Sequence, residues 1–134
     1  MTSKTALTKI VFAVTVAALS GCVGPDPTGP EQAATAFARA VSASDGTAAC
    51  SLLSPEVSAD VADSAGTECA QAVLHEDLPA PSPVTNAQIY GHQAWVRTGT
   101  ETVFLSEFAA GWKIIGAGCV PQGERPYDCA VSGG

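Results

Sequence analysis

The chain has 134 residues, the length of one domain, with 13 acidic against 6 basic residues and a formal charge of −7. So acidic a surface does not neutralise phosphates, which excludes nucleic acid as a partner. Nine prolines and 13 glycines make the chain turn-rich, while 46% hydrophobic residues leave enough apolar mass for a core.

The first segment reads as an address. Lys4 and Lys9 precede an apolar run from Ile10 to Leu19. That run is far shorter than the roughly 20 residues a membrane-spanning helix needs. It has the length and the charged flank of a signal h-region. Leu19-Ser20-Gly21-Cys22 follows and resembles the lipobox of bacterial lipoproteins. The resemblance implies a diacylglycerol on the Cys22 sulfur and cleavage just before it. The expected organisation is a signal peptide over 1–21, a lipidated cysteine with a Pro/Gly tether over 22–30, and a single disulfide-stapled domain over 31–134. Each buried methylene contributes about 0.8 kcal/mol, so two acyl chains hold where one holds marginally. The expected location is the extracytoplasmic face of the cell membrane, with the bilayer as a partner through the acyl chains on Cys22. Loss of Lys4 and Lys9 leaves 4 basic and 13 acidic residues, a formal charge of −9. Such a domain is repelled by anionic lipid headgroups and hangs from its anchor.

Cysteine arithmetic agrees. Five cysteines are awkward outside the cell, and acylation of Cys22 leaves Cys50, Cys69, Cys119 and Cys129. Of the three possible connectivities the local one, Cys50–Cys69 with Cys119–Cys129, is favoured. Loops of this size contribute roughly 3 kcal/mol each on the chain-entropy estimate. Neither His75 nor His92 is patterned with a cysteine as zinc ligands are, and no metal or cofactor is expected.

The domain begins with helices. Pro30 and Glu31 suit a first turn, and Ala33, Phe37 and Val41 form an apolar stripe. The stretch Ser42-Ala43-Ser44-Asp45-Gly46 is expected to stop this helix. A short helix with Ala48, Cys50, Leu52 and Leu53 follows. Ser54-Pro55-Glu56 is a helix start, with Val57 and Val61 facing inward and Gly66 as the interruption. Thr67 to Leu74 is a last helical piece.

Leu78-Pro79-Ala80-Pro81-Ser82-Pro83 closes the helical half. The period then moves toward two. Strands are expected at Val84–Tyr90, Gln93–Thr98, Thr100–Phe108 and Trp112–Cys119, joined by short turns and therefore antiparallel. One face takes Ala94, Val96, Val103, Leu105 and Ile114, the other Trp95, Phe104, Trp112 or Ile115; period alone does not say which is buried. The tail has no room for another large element. Cys129 pins it, Tyr127 covers an edge or an open end of the core, and the last three residues fray.

The fold class is α+β, with N-terminal helices on a curved antiparallel sheet of about four strands. This order resembles the cystatin-like or NTF2-like cone. The ending Gly111 to Cys129, with its Trp-Lys-Ile strand and paired cysteines, is similar to small lipoproteins and secreted proteins of high-GC Gram-positive bacteria, a group that brings no activity to particular residues.

Chemistry-bearing patterns are sparse. His75-Glu76-Asp77 reads as a solvated helix end, and Arg97 is placed to pair with Glu101 across a hairpin. The chain lacks Gly-x-Ser-x-Gly and a phosphate-cradling loop. Three functions remain open. The first is a non-catalytic domain binding a small apolar ligand or an envelope protein, through a pocket lined by Tyr90, Trp95, Phe104 and Trp112. The second is a structural accessory of the envelope. The third is a small cone-fold enzyme with His92 or an acidic residue as its base.

Overall fold

The structure, a computed structural model of the chain, describes residues 28–99 and 101–134. Cys22, the lipobox and the signal segment lie outside the described residues. Four α-helices precede the strands: α1 (Thr28–Ser42), α2 (Gly46–Leu52), α3 (Pro55–Ala65) and α4 (Cys69–Ala72), the last running into a 3₁₀ turn at Val73–His75. The strands are β1 (Val84–Tyr90), β2 (Gln93–Thr98), β3 (Glu101–Phe108), β4 (Gly111–Gln122), β5 (Arg125–Asp128) and β6 (Val131–Ser132). They pair antiparallel in the order β1-β2-β3-β4-β5, with β6 also on β4. The chain is an α+β protein with its helices N-terminal to the sheet.

Local chemistry sets the helix boundaries. Glu31 lies in the first turn of α1 and Arg39 in the last, each complementing the helix dipole. Thr28, Gly29 and Pro30 already belong to α1, so the helix takes up the end of the expected tether. Asp45 caps α2 by accepting a 3.0 Å hydrogen bond from the Ala48 amide. α1 ends at Ser42, at the start of the stretch expected to stop it, and Gly46 is the first residue of α2. It is glycine for a packing reason: a Cβ there would lie 1.7 Å from the Ala70 carbonyl oxygen of α4. Ser54 caps α3, and Gly66 ends it in the left-handed conformation at φ 65°.

Strand alternation decides which sheet face is buried. Ala94, Val96, Val103, Leu105 and Ile114 point at the helices and are almost wholly inaccessible. Phe37, Ala49, Leu53, Val57, Val61 and Val73 meet them in one core. Trp112 is two residues from Ile114 and shares its face, unlike the grouping with Trp95 and Phe104. Its indole lies against Gly29 of α1, where a Cβ would approach to 2.8 Å. The Ser54 amide donates to the Ile114 carbonyl at 2.8 Å and fixes the helical layer on the middle of β4.

The bridges are Cys50–Cys69, joining α2 to α4, and Cys119–Cys129, joining β4 to the turn between β5 and β6. Both fit an oxidising compartment. No helix among the described residues is long and apolar enough to cross a membrane.

The tail differs from expectation in two respects. It forms β5 and β6, giving a six-stranded sheet where about four strands were expected. Its last residues are tied down: Ser132 pairs with Gly116, and the Gly134 amide donates to Asp60 Oδ2 at 2.8 Å. Val131, fully buried, supplies the apolar anchor that holds this short strand.

Candidate functional site

A cleft of about 520 Å³ lies between α1 and the segment 78–83. Ala34, Phe37, Ala38 and Val41 of α1 form the apolar part of one wall, and Thr35, Arg39 and Ser42 its polar part. The prolines at 79, 81 and 83 form the opposite wall, and Val103, Ala117, Thr98 and Glu101 line it from the sheet. Alternating prolines lack N–H donors and hold φ fixed, so this wall is extended and stiff and needs no ladder partner. Contacts near its two ends seat it on the sheet. Leu78 packs over Gly118, where a Cβ would come within 3.3 Å of its Cδ2, and Ser82 packs over Gly99. The volume and apolar lining are those of a small-molecule site.

Glu101 is the ionisable group on the sheet side of this cleft. Its Oε2 accepts a 2.8 Å hydrogen bond from the Gly118 amide and its Oε1 a 3.2 Å bond from the Thr98 hydroxyl. Gly118 sits at φ 64°, between the Thr102–Cys119 and Phe104–Gly116 pairs where the β3–β4 register slips. The irregularity is what frees its N–H for a side chain. Burial raises the Glu101 carboxyl above the ordinary glutamate value, and the two hydrogen bonds oppose this without cancelling it. The ion pair seen among the described residues joins His92 to Glu107, so no cation there pairs with Glu101. Arg39 stands exposed among the α1 residues that line the cleft. A second cavity, sharing Pro79 and Glu101 with the first, is lined also by Asp77, Asp128 and Gly118.

The expected Arg97–Glu101 pair does not form. Thr98 faces Glu101 on the helix side, while Arg97 faces Thr102 on the outer side, so the two charges lie on opposite faces of the sheet. Arg97 instead sits 5.1 Å from the Trp95 ring centroid, in cation–π range.

The aromatics expected to share a pocket are divided between the two faces, and none of them lines the cleft. Trp95 and Phe104 are direct cross-strand partners on the outer face. Tyr127 meets Phe104 edge-to-face at 5.1 Å, so it covers the outer face and not a sheet edge. Tyr90 is 61% exposed at the end of β1, its hydroxyl donating to Gln88. Trp112 lies on the helix side. His92 is 88% exposed and contacts Glu107 Oε2 at 3.1 Å, away from the residues of the cleft. His75 is exposed at the end of the 3₁₀ turn, its Nδ1 2.8 Å from the Gln71 carbonyl oxygen.

The chain matches no protein-family model, no curated protein and no solved structure. The likeness to cystatin-like and NTF2-like cones rests on element order alone, and no site residue is carried over from those families.

Proposed function

We propose that the protein is a lipid-tethered, extracytoplasmic binding domain that takes a small apolar ligand in the cleft between α1 and the segment 78–83. The observation that carries this reading is the cleft itself: a largely apolar lining, a stiff proline-rich side and one fixed carboxylate. A binding role fits better than catalysis, because among the described residues lining this cleft Glu101 is the one acid, with no histidine or cysteine. The tether is read from Leu19-Ser20-Gly21-Cys22, and the two disulfides support the same side of the membrane.

Native mass spectrometry of the full chain purified from its own membranes tests both parts. The expected protein has lost residues 1–21, carries two or more acyl chains, and holds a non-covalent small molecule that is absent from an Ala38→Trp variant filling the cleft. A bare Cys22 overturns the tether. A ligand-free protein, or an adduct unaffected by Ala38→Trp, overturns the cleft.

A second reading, docking to an envelope protein, draws on the outer sheet face. Trp95, Phe104 and Tyr127 there form an aromatic row flanked by Arg97, a composition enriched at protein interfaces. Crosslinking in cells from a photoreactive residue at Tyr127 tests it. A discrete protein adduct supports this reading, and its absence removes it.

A further inference from the structure

Three features of the cleft restrict what it accepts. The first is an anion with no partner. Glu101 is half-buried, held by Gly118 and Thr98, and unpaired with any cation among the described residues. A carboxylate accepts about four hydrogen bonds. Two are used, so acceptor capacity remains.

The second feature is the surrounding field. Asp77 and Asp128 line the second cavity that Glu101 borders, and among the described residues no lysine or arginine lines it. Among the described residues Arg39 is the one cation lining the main cleft, and it is solvent-exposed. The chain as a whole carries an excess of 7 negative charges. Local and long-range fields therefore have the same sign at Glu101.

The third feature is desolvation. A ligand that fills the apolar cleft strips water from Glu101. A purely apolar ligand leaves the carboxylate worse solvated, and an anionic one adds like-charge repulsion. An ammonium group replaces the lost water with a charge-assisted hydrogen bond.

We propose that the cleft selects an apolar amine, its hydrocarbon part against α1 and the proline wall and its protonated nitrogen on the Glu101 carboxylate. This rests on the cleft being the binding site. It adds the chemical class of the ligand and names Glu101 as the selecting residue. The carboxylate is preorganised, since the Gly118 and Thr98 donors hold it in place before the ligand arrives.

The test is calorimetric titration of the mature chain, beginning at residue 22 and carrying Cys22→Ser to permit detergent-free buffer, with n-hexylamine, n-hexanol and n-hexanoate at pH 7. Hexylamine is expected to bind more tightly than hexanol by on the order of 10-fold, and hexanoate more weakly than either. Glu101→Gln is expected to bring the amine-to-alcohol ratio to about 1. Should that variant not fold, the same ratio is read on the unsubstituted cleft well below the glutamate range, where hexylamine is still charged and the ratio is again expected to be about 1. Equal affinity for all three probes, tightest binding of hexanoate, or an amine preference that survives loss of the carboxylate charge overturns the amine assignment while leaving the cleft as a site. No binding of any probe overturns both.

Discussion

The Gly118 amide donates to Glu101 Oε2 at 2.8 Å, across the irregular stretch of the β3–β4 ladder. The bond places a carboxylate on the wall of the cleft, and no ion pair among the described residues neutralises it. Burial outweighs this bond and the one from Thr98, so the folded carboxyl titrates above its unfolded counterpart. A group of that kind contributes stability that is fully present below the unfolded pKa and is lost as pH rises through the folded one. The melting-temperature difference between Glu101→Gln and the unsubstituted protein is therefore expected to grow in favour of the variant from about pH 4 upward and then level off. Thermal scans from pH 3 to pH 8 check this; a difference that stays flat, or that falls with pH, contradicts it.

Gly46 and Ala70 make the closest approach between α2 and α4. A Cβ at position 46 would meet the Ala70 carbonyl oxygen at 1.7 Å, and backbone has no side-chain end to swing aside. Gly46→Ala is expected to lose about 2 kcal/mol or more, at the upper part of the range for overpacked cores. Urea denaturation measures it. A loss under about 0.5 kcal/mol, the size of a neutral surface change, would show that the helices separate freely there.

The Cys50–Cys69 bridge ties the same two helices and closes a loop of 19 residues in sequence. Replacing both cysteines by alanine is expected to remove about 3 kcal/mol by the chain-entropy relation. The comparison with dithiothreitol-treated protein separates this from packing: the double variant is expected to be insensitive at this bridge, leaving only the response of Cys119–Cys129.

Phe37 lies at the meeting point of core and cleft, 4% exposed. Phe37→Ala is expected to cost about 3–5 kcal/mol and to enlarge the cleft at its helical wall. Denaturation gives the first quantity, and a weaker affinity for n-hexylamine gives the second.

The boundaries of α3 and the presence of strands β1 to β4 were readable because they rest on local signals, whereas α1 begins two residues earlier than expected and the piece expected over Thr67 to Leu74 is a four-residue helix, Cys69–Ala72, running into a 3₁₀ turn. Ser54-Pro55 and Gly66 bracket α3 as capping chemistry requires, and alternation from Ala94 to Leu105 marks the sheet. The disulfide pairing followed from locality. α1 ends at Ser42, within the stretch expected to stop it; the packing role of Gly46 was not legible, because its contact with Ala70 is distant in sequence and absent from any local pattern. β6 was missed because two residues carry no period; its cause is the burial of Val131. The cleft was missed for a similar reason. Aromatic residues drew attention to a pocket, yet alternation alone already separates Trp95 and Phe104 from Trp112. The signals in reach were the prolines at 79, 81 and 83, which mark a stiff extended wall, and Glu101, which the spacing from Thr98 places on the helix side of its hairpin. Its bond to Gly118 needed the three-dimensional register.

Amide chemical-shift mapping with n-hexylamine on the full chain tests most directly the claim that the cleft is the binding site. The account predicts saturable shifts grouped at Ala34, Ala38, Val41, Glu101, Val103, Ala117 and Gly118. Shifts grouped instead at Trp95, Phe104 and Tyr127, or no saturable shift at millimolar ligand, would contradict it.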